Sequence, residues 1–140
     1  MKLLDQLKEF EGLRLKAYQD TLGVWTIGYG HTGPEVRQGL EWTLERAERV
    51  FTQDVAEKTA QVRKSIPWFD RLNEPRQAVL IGMAFQLGIN GLLGFNRTLS
   101  SVRDERWADA ANGMRASKWH AQTPKRVDRL AHQMETGDWN

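Results

Sequence analysis

Three polar side chains near the start of the chain, Glu11, Asp20 and Thr26, stand where they could do acid–base chemistry. Glu11 closes a stretch, residues 3–11, in which Leu3, Leu4, Leu7 and Phe10 recur at helical spacing, and Gly12 follows it. A helix often ends on a glycine in the left-handed conformation, so Glu11 is expected in the last turn. There the helix dipole presents partial negative charge, and Phe10, Leu13 and Leu15 add desolvation. Both disfavour an ionised carboxylate and predict a raised pKa. Asp20 falls in an exposed turn, where a carboxyl group stays ionised. Two carboxyl groups in unlike environments are the set that glycoside hydrolysis uses, one as acid and the other as base or nucleophile. Alone the pattern is weak, because Glu at helix ends, Asp in turns and Thr in strands are ordinary structural choices.

The elements that must hold these residues are legible in outline. Ala17–Gln19 and Val24–Tyr29 are rich in β-branched and aromatic residues and are separated by Asp20-Thr21-Leu22-Gly23, which predicts a β-hairpin. Thr43 caps a long helix to about Lys64, with Leu44, Ala47, Phe51, Val55 and Val62 along one face and Pro67 forbidding continuation. Asn73 and Pro75 open a helix whose body, Ala78–Phe85, is apolar on all sides and therefore buried, and Gly88, Gly91 and Gly94 punctuate the turn after it. Short helices are expected near 98–102 and 106–112, and a last one from Thr123-Pro124 to Gly137. The fold class is α+β and mostly helical. One chain forms a small N-terminal lobe of about 13–42, a bridging helix of about 43–64, and a helical C-terminal lobe of about 65–140 on which helix 1–11 packs.

Composition narrows the function classes. At 140 residues the chain suffices for one domain with its own core, and it has no cysteine for disulfides or thiol chemistry. Residues 1–60 carry 8 basic and 10 acidic side chains and residues 61–140 carry 12 and 8, so the second half suits an anionic polymer. That charge is too dispersed for a DNA-binding module, and no nucleic-acid partner is expected. Residues 97–129 hold 8 basic against 4 acidic side chains, a modest surplus for a membrane-disrupting segment. No apolar run has spanning length and the first residues do not read as a signal peptide, so neither membrane insertion nor Sec-type export is expected. His120 and His132 lack partners at ligand spacing, and Gly28, Gly30 and Gly33 lack the Lys of a phosphate loop; no metal or other cofactor is expected.

Longer runs decide between these classes. Phe10 to Tyr18, then Asp20, then Gly23 to His31 closely resemble the active-site region of phage-type lysozymes, glycoside hydrolase family 24. Phe51–Val55, Phe85–Gly88 with Gly94-Phe95, Arg106-Trp107, Ser117–Trp119 and Gln122–Arg126 extend the resemblance over essentially the whole chain. It implies the lysozyme-like fold and an endolysin that hydrolyses the β-1,4 bond between N-acetylmuramic acid and N-acetylglucosamine in peptidoglycan. Glu11 becomes the general acid, Asp20 the base that activates water, and Thr26 a residue positioning that water, with inversion at the anomeric carbon. Thr32, Phe85 and Thr98 would line the substrate cleft. Thr32 stands in place of a Leu and Thr98 in place of a Ser found in the family, and Gly113 takes the position of a cleft Asn. Arg126 would lie near the acid, and His31 would pair with Asp54. The partner implied is the glycan strand, met by a monomer made in the host cytoplasm and released to the wall by a separate permeabilising protein. A binding module without catalysis and a lytic transglycosylase are the alternatives that share these features.

Overall fold

The computed structural model describes residues 3–140. The order is helix α1 (Leu3–Glu11), strands β1 (Arg14–Gln19), β2 (Trp25–Gly28) and β3 (His31–Thr32), then helices α2 (Leu44–Ser65), α3 (Glu74–Leu93), α4 (Asn96–Arg103), α5 (Trp107–Arg115), α6 (Lys118–Gln122) and α7 (Pro124–Thr136), with a short 3-10 turn at Phe69–Arg71. This is the expected mostly helical α+β class. The chain forms two compact units, one ending at Glu57 and the other comprising Lys58–Asn140, so α2 begins in the first and finishes in the second.

In the first unit the three strands form one antiparallel sheet in the order β1-β2-β3. The β1–β2 hairpin is the one the sequence predicts, and Gly23 takes the positive φ of +81° that its turn requires. The third strand is additional. It has only two residues, too few for an alternating pattern to be read. Lys16 bridges Glu41 beside β1, and Ala17 N–H and Leu15 C=O bond Leu40 and Trp42, so residues 40–42 cover that edge. Leu7, Ile27, Val36, Trp42, Ala47, Phe51 and Val55 are buried in this unit. Thr43 caps α2 as expected, its hydroxyl accepting from Arg46 N–H at 3.1 Å.

In the second unit α3 is the buried helix that its all-round apolar body demands, with Ala78–Ala84 sealed from solvent. Asn73 caps it through Arg76 N–H at 3.1 Å. The glycines after Phe85 do not end this helix in a loop. It breaks only at Gly88 (φ 77°, ψ 164°) and resumes to Leu93. Helix α6 is missing from the sequence expectation, since five residues carry no helical period. Thr123 precedes α7 without capping it; its hydroxyl instead accepts from Gln86 Nε2 at 3.3 Å. Among the described residues no single helix is long and apolar enough to cross a membrane.

The end of α7 is closed from a distance. Arg76 donates through Nε to the Met134 carbonyl at 2.8 Å and through Nη2 to the Glu135 carbonyl at 3.0 Å, and its guanidinium stacks 3.7 Å from the Trp107 ring centroid. Burial lowers its pKa below the ordinary guanidinium range, yet the group stays charged. Gly137 in the left-handed conformation leaves room for it, since a Cβ there would meet Arg76 Nη1 at 2.8 Å. Two charge-assisted bonds and a stacked cation predict a loss of about 2–4 kcal/mol for Arg76→Ala in urea unfolding. Arg76→Lys should recover little of it, because an ammonium cannot reach both carbonyls in the plane of the ring.

Candidate active site

Glu11 is the last residue of α1, and Gly12 ends the helix as the sequence predicts, with φ +68° and its N–H bonded to the Lys8 carbonyl at 2.9 Å. The Glu11 side chain is half-buried and rests on the backbone between β2 and β3. At Gly30 (φ +72°) an added Cβ would lie 3.1 Å from Glu11 Oε2 and 3.2 Å from its Cδ. The bare glycine is therefore the seat of the carboxyl group, and any side chain there would be both strained and crowded.

Asp20 opens the β1–β2 turn. Its Oδ1 accepts from Leu22 N–H at 2.8 Å and Val24 N–H at 2.9 Å, while its own N–H donates to the Val24 carbonyl at 2.9 Å. The bonds fix the carboxylate's direction and leave it exposed. Thr26 on β2 is buried, and its hydroxyl donates to the Val24 carbonyl at 3.0 Å. With its hydrogen committed, that oxygen can still accept from a water molecule. Thr26 pairs with Tyr18 on one side and Thr32 on the other, so the three stand in one cross-strand row, with Thr32 exposed.

A brace around this group is absent from the sequence reading. Lys8, one turn before Glu11, places Nζ 2.7 Å from Glu48 Oε2, and the Tyr29 hydroxyl donates to Glu48 Oε1 at 2.9 Å. The hydrogen bond from Lys8, then that from Tyr29, lowers the Glu48 pKa below its ordinary range, and the Glu48 bond raises that of Lys8. The ion pair so formed joins the end of α1, the turn holding Gly30 and the start of α2.

His31 forms the expected pair with Asp54, Nδ1 to Oδ2 at 2.6 Å, and also a second with Glu35, Nε2 to Oε1 at 2.6 Å. Both ring nitrogens face carboxylates, which requires an imidazolium donating twice. Burial opposes the charge, but the bonds to Glu35 and Asp54 outweigh it and raise the His31 pKa above 6.5. Only the four-residue spacing of His31 and Glu35 could have signalled this partner.

The remaining candidates belong to the second unit. Phe85 is half-buried on α3, three residues before the break, and next to it Gln86 accepts from Trp119 Nε1 at 2.9 Å. Thr98 on α4 is buried, and a Cβ at Gly113 on α5 would fall 2.5 Å from its hydroxyl oxygen. Arg126 lies half-buried on α7. The structure thus gathers Glu11, Asp20, Thr26 and Thr32 on the first unit, and sets Phe85 and Thr98 on neighbouring helices of the second.

Comparison with known proteins gives the class, a glycoside hydrolase. The phage lysozyme family model matches residues 8–135, and the chain belongs to that family. It is 30% identical to probable T4-type lysozyme 1 of Dictyostelium discoideum over 97% of this chain and 95% of that protein. It is 30% identical to the endolysin of Bacillus phage B103 over 94% of this chain and 49% of that protein. It is also 32% identical to the pre-baseplate central spike protein Gp5 of Enterobacteria phage T4, over 99% of this chain but 28% of that protein.

The His31 brace gives a pH dependence. Its folded pKa is raised, so its stabilisation is complete below the ordinary 6.5 and is lost as pH rises through the raised value. Glu35 is lowered, chiefly by the bond to His31, so its share is present above 4.5 and is lost as pH falls through the lowered value. The stability difference between the wild type and His31→Asn in urea unfolding should be largest between 4.5 and 6.5 and shrink on either side. A difference that stays unchanged from well below 4.5 to well above 6.5 would refute the paired imidazolium.

Proposed function

We propose that this lysozyme is an endolysin that hydrolyses peptidoglycan glycan strands, cutting the β-1,4 bond between N-acetylmuramic acid and N-acetylglucosamine with inversion. The seat of the Glu11 carboxyl on Gly30, beside the sheet that carries Thr26, is the observation that supports it most. Glu11 is the proton donor to the glycosidic oxygen, so the leaving sugar departs as a neutral alcohol. Asp20, its direction held by two backbone N–H groups, takes a proton from water as that water attacks the anomeric carbon from the opposite face. Thr26 accepts a hydrogen bond from the same water. In this role the two carboxyl groups stand about 6.5–9.5 Å apart around bound substrate, leaving space for the water. Thr32, Phe85 and Thr98 contact the glycan strand. The chain acts as a monomer, without metal or cofactor, and reaches the wall from the host cytoplasm once another protein has opened the membrane. The endolysin role is supported by relatives so named in Bacillus phage B103 and Salmonella phage P22.

Clearing of permeabilised Gram-negative cells tests the assignment. Glu11→Gln should lower the rate by about 10²–10⁴-fold while leaving the unfolding midpoint close to that of the wild type. Equal clearing by the two proteins would refute the acid. Retained wall binding without clearing by the wild type would point to a binding module, and 1,6-anhydro ends among the products would replace hydrolysis by transglycosylation. Asp20→Asn should also fall steeply, because an amide cannot accept the water's proton.

A further inference from the structure

Three consecutive positions around β3 have different duties. Gly30 seats the Glu11 carboxyl, His31 opens the strand, and Thr32, its exposed last residue, meets the glycan strand in the proposed function. The two positions that flank His31 are not held equally. Gly30 follows Tyr29, whose hydroxyl is bonded to Glu48 on α2. Thr32 pairs with Thr26 on β2, and a strand of two residues is too short for that pairing to hold it alone. Its position therefore depends on the anchor at His31.

The chain beyond Thr32 turns back to build that anchor. Val36 N–H bonds the Gly33 carbonyl at 3.0 Å, and the Val36 side chain is buried. The turn lays the Glu35 carboxyl over Gly33, where an added Cβ would lie 2.6 Å from Oε2. It also brings Oε1 to 2.6 Å from His31 Nε2, while Asp54 on α2 takes Nδ1 at 2.6 Å. The Trp42 ring lies 5.4 Å from the imidazole, and the Arg46 guanidinium on α2 stands 5.4 Å over that ring, adding positive charge near Glu35. Glu35 and Asp54 are the charged groups that face His31 directly.

The two carboxylates are not equivalent. The Asp54 side chain is 21% exposed and that of Glu35 is 52% exposed. A neutral imidazole would turn a lone pair toward one of them at 2.6 Å, and that contact cannot persist. Glu35 is the one that leaves, because water resolvates the more exposed carboxylate at lower cost. Its departure uncouples the turn from the end of β3.

We infer that Glu35 is a positioning residue for glycan binding: by holding the His31 imidazolium against Asp54, it fixes the end of β3 and presents Thr32 to the strand. Glu35 takes no part in the proton transfers. The inference rests on the reading of Thr32 as a glycan contact. Its effect falls on substrate affinity rather than on the chemical step, since the seat of Glu11 on Gly30 has its own anchor through Tyr29 and Glu48.

Steady-state kinetics on soluble, uncross-linked glycan strands separates kcat from KM. Glu35→Ala should raise KM about tenfold between pH 4.5 and 6.5, with kcat within about twofold of the wild type. In the wild type the imidazolium is complete below 6.5, so KM should be steady there and rise as pH passes through the raised His31 value. Glu35→Gln should keep a low KM on both sides of that value, because a neutral imidazole can donate to Asp54 and accept from the amide. Thr32→Ala should raise KM by itself, and Glu35→Ala added to it should change little more. The inference is overturned by an unchanged KM in Glu35→Ala, by a loss in that variant that falls equally on kcat and kcat/KM, by a Glu35→Gln profile that follows the wild type, or by an undiminished effect of Glu35→Ala in the Thr32→Ala background. An unchanged KM in Thr32→Ala overturns the glycan contact itself, and the inference with it. Because Glu35 is half exposed, Glu35→Gln keeps the fold even where Glu35→Ala weakens it.

Discussion

The ion pair of Lys8 with Glu48, completed by the Tyr29 hydroxyl, connects the helix that carries Glu11 with the turn beneath its carboxyl and with α2. Lys8 is one turn before Glu11 on α1, and Tyr29 directly precedes Gly30, on which the Glu11 carboxyl rests. One carboxylate therefore ties both the helix end and the turn beneath it to α2. An exposed pair of this kind adds little stability by itself. Its effect is geometric, because neither α1 nor the turn can shift without giving up a partner of Glu48. Packing reinforces it: the Tyr29 ring lies 4.9 Å from that of Phe51, and Lys8 Nζ sits 5.3 Å above the Tyr29 ring centroid.

The same device recurs with different ions. Strand β3 has two residues and two partners on β2, a length that would fray unaided. His31 anchors it by donating to Asp54 on α2 and to Glu35 in the following loop, while its ring lies 5.4 Å from that of Trp42. In the second unit Arg76 joins the start of α3 to the last carbonyls of α7. Each is a cation with several donors placed where a short or terminal element runs out of backbone partners. The rest of each unit is left to apolar burial.

What could be read in the chain follows from the range of the interaction. Helix α1, its glycine end, the Thr43 and Asn73 caps, the hairpin and the buried body of α3 depend on neighbours a few residues away, and all stand where their patterns place them. Residues with a role at long range were visible only as types. Gly30 reads as one more flexible glycine until the Glu11 carboxyl is found over it, and Glu48 reads as a solvated acid on the outer face of α2. The two shortest elements, β3 and α6, are held by partners distant in sequence and have no period of their own. For the candidate site the residues alone supported Glu11 only as a carboxyl in a suitable place. The longer run from Phe10 to His31 supplied the expected role, and it holds both the carboxyl and the glycine turn on which the carboxyl rests.

Thr98 and Gly113 show how such a long-range constraint acts on two positions at once. The family resemblance puts a Ser and an Asn there, while this chain has Thr and Gly. A Cβ at position 113 would come within 2.5 Å of the Thr98 hydroxyl oxygen, and Thr98 is β-branched on a buried helix face, so it has few rotamers into which to retreat. The bulkier residue on α4 is thus compatible with glycine on α5 and would clash with a larger one. The hydroxyl of Thr98 therefore lies above bare backbone at Gly113.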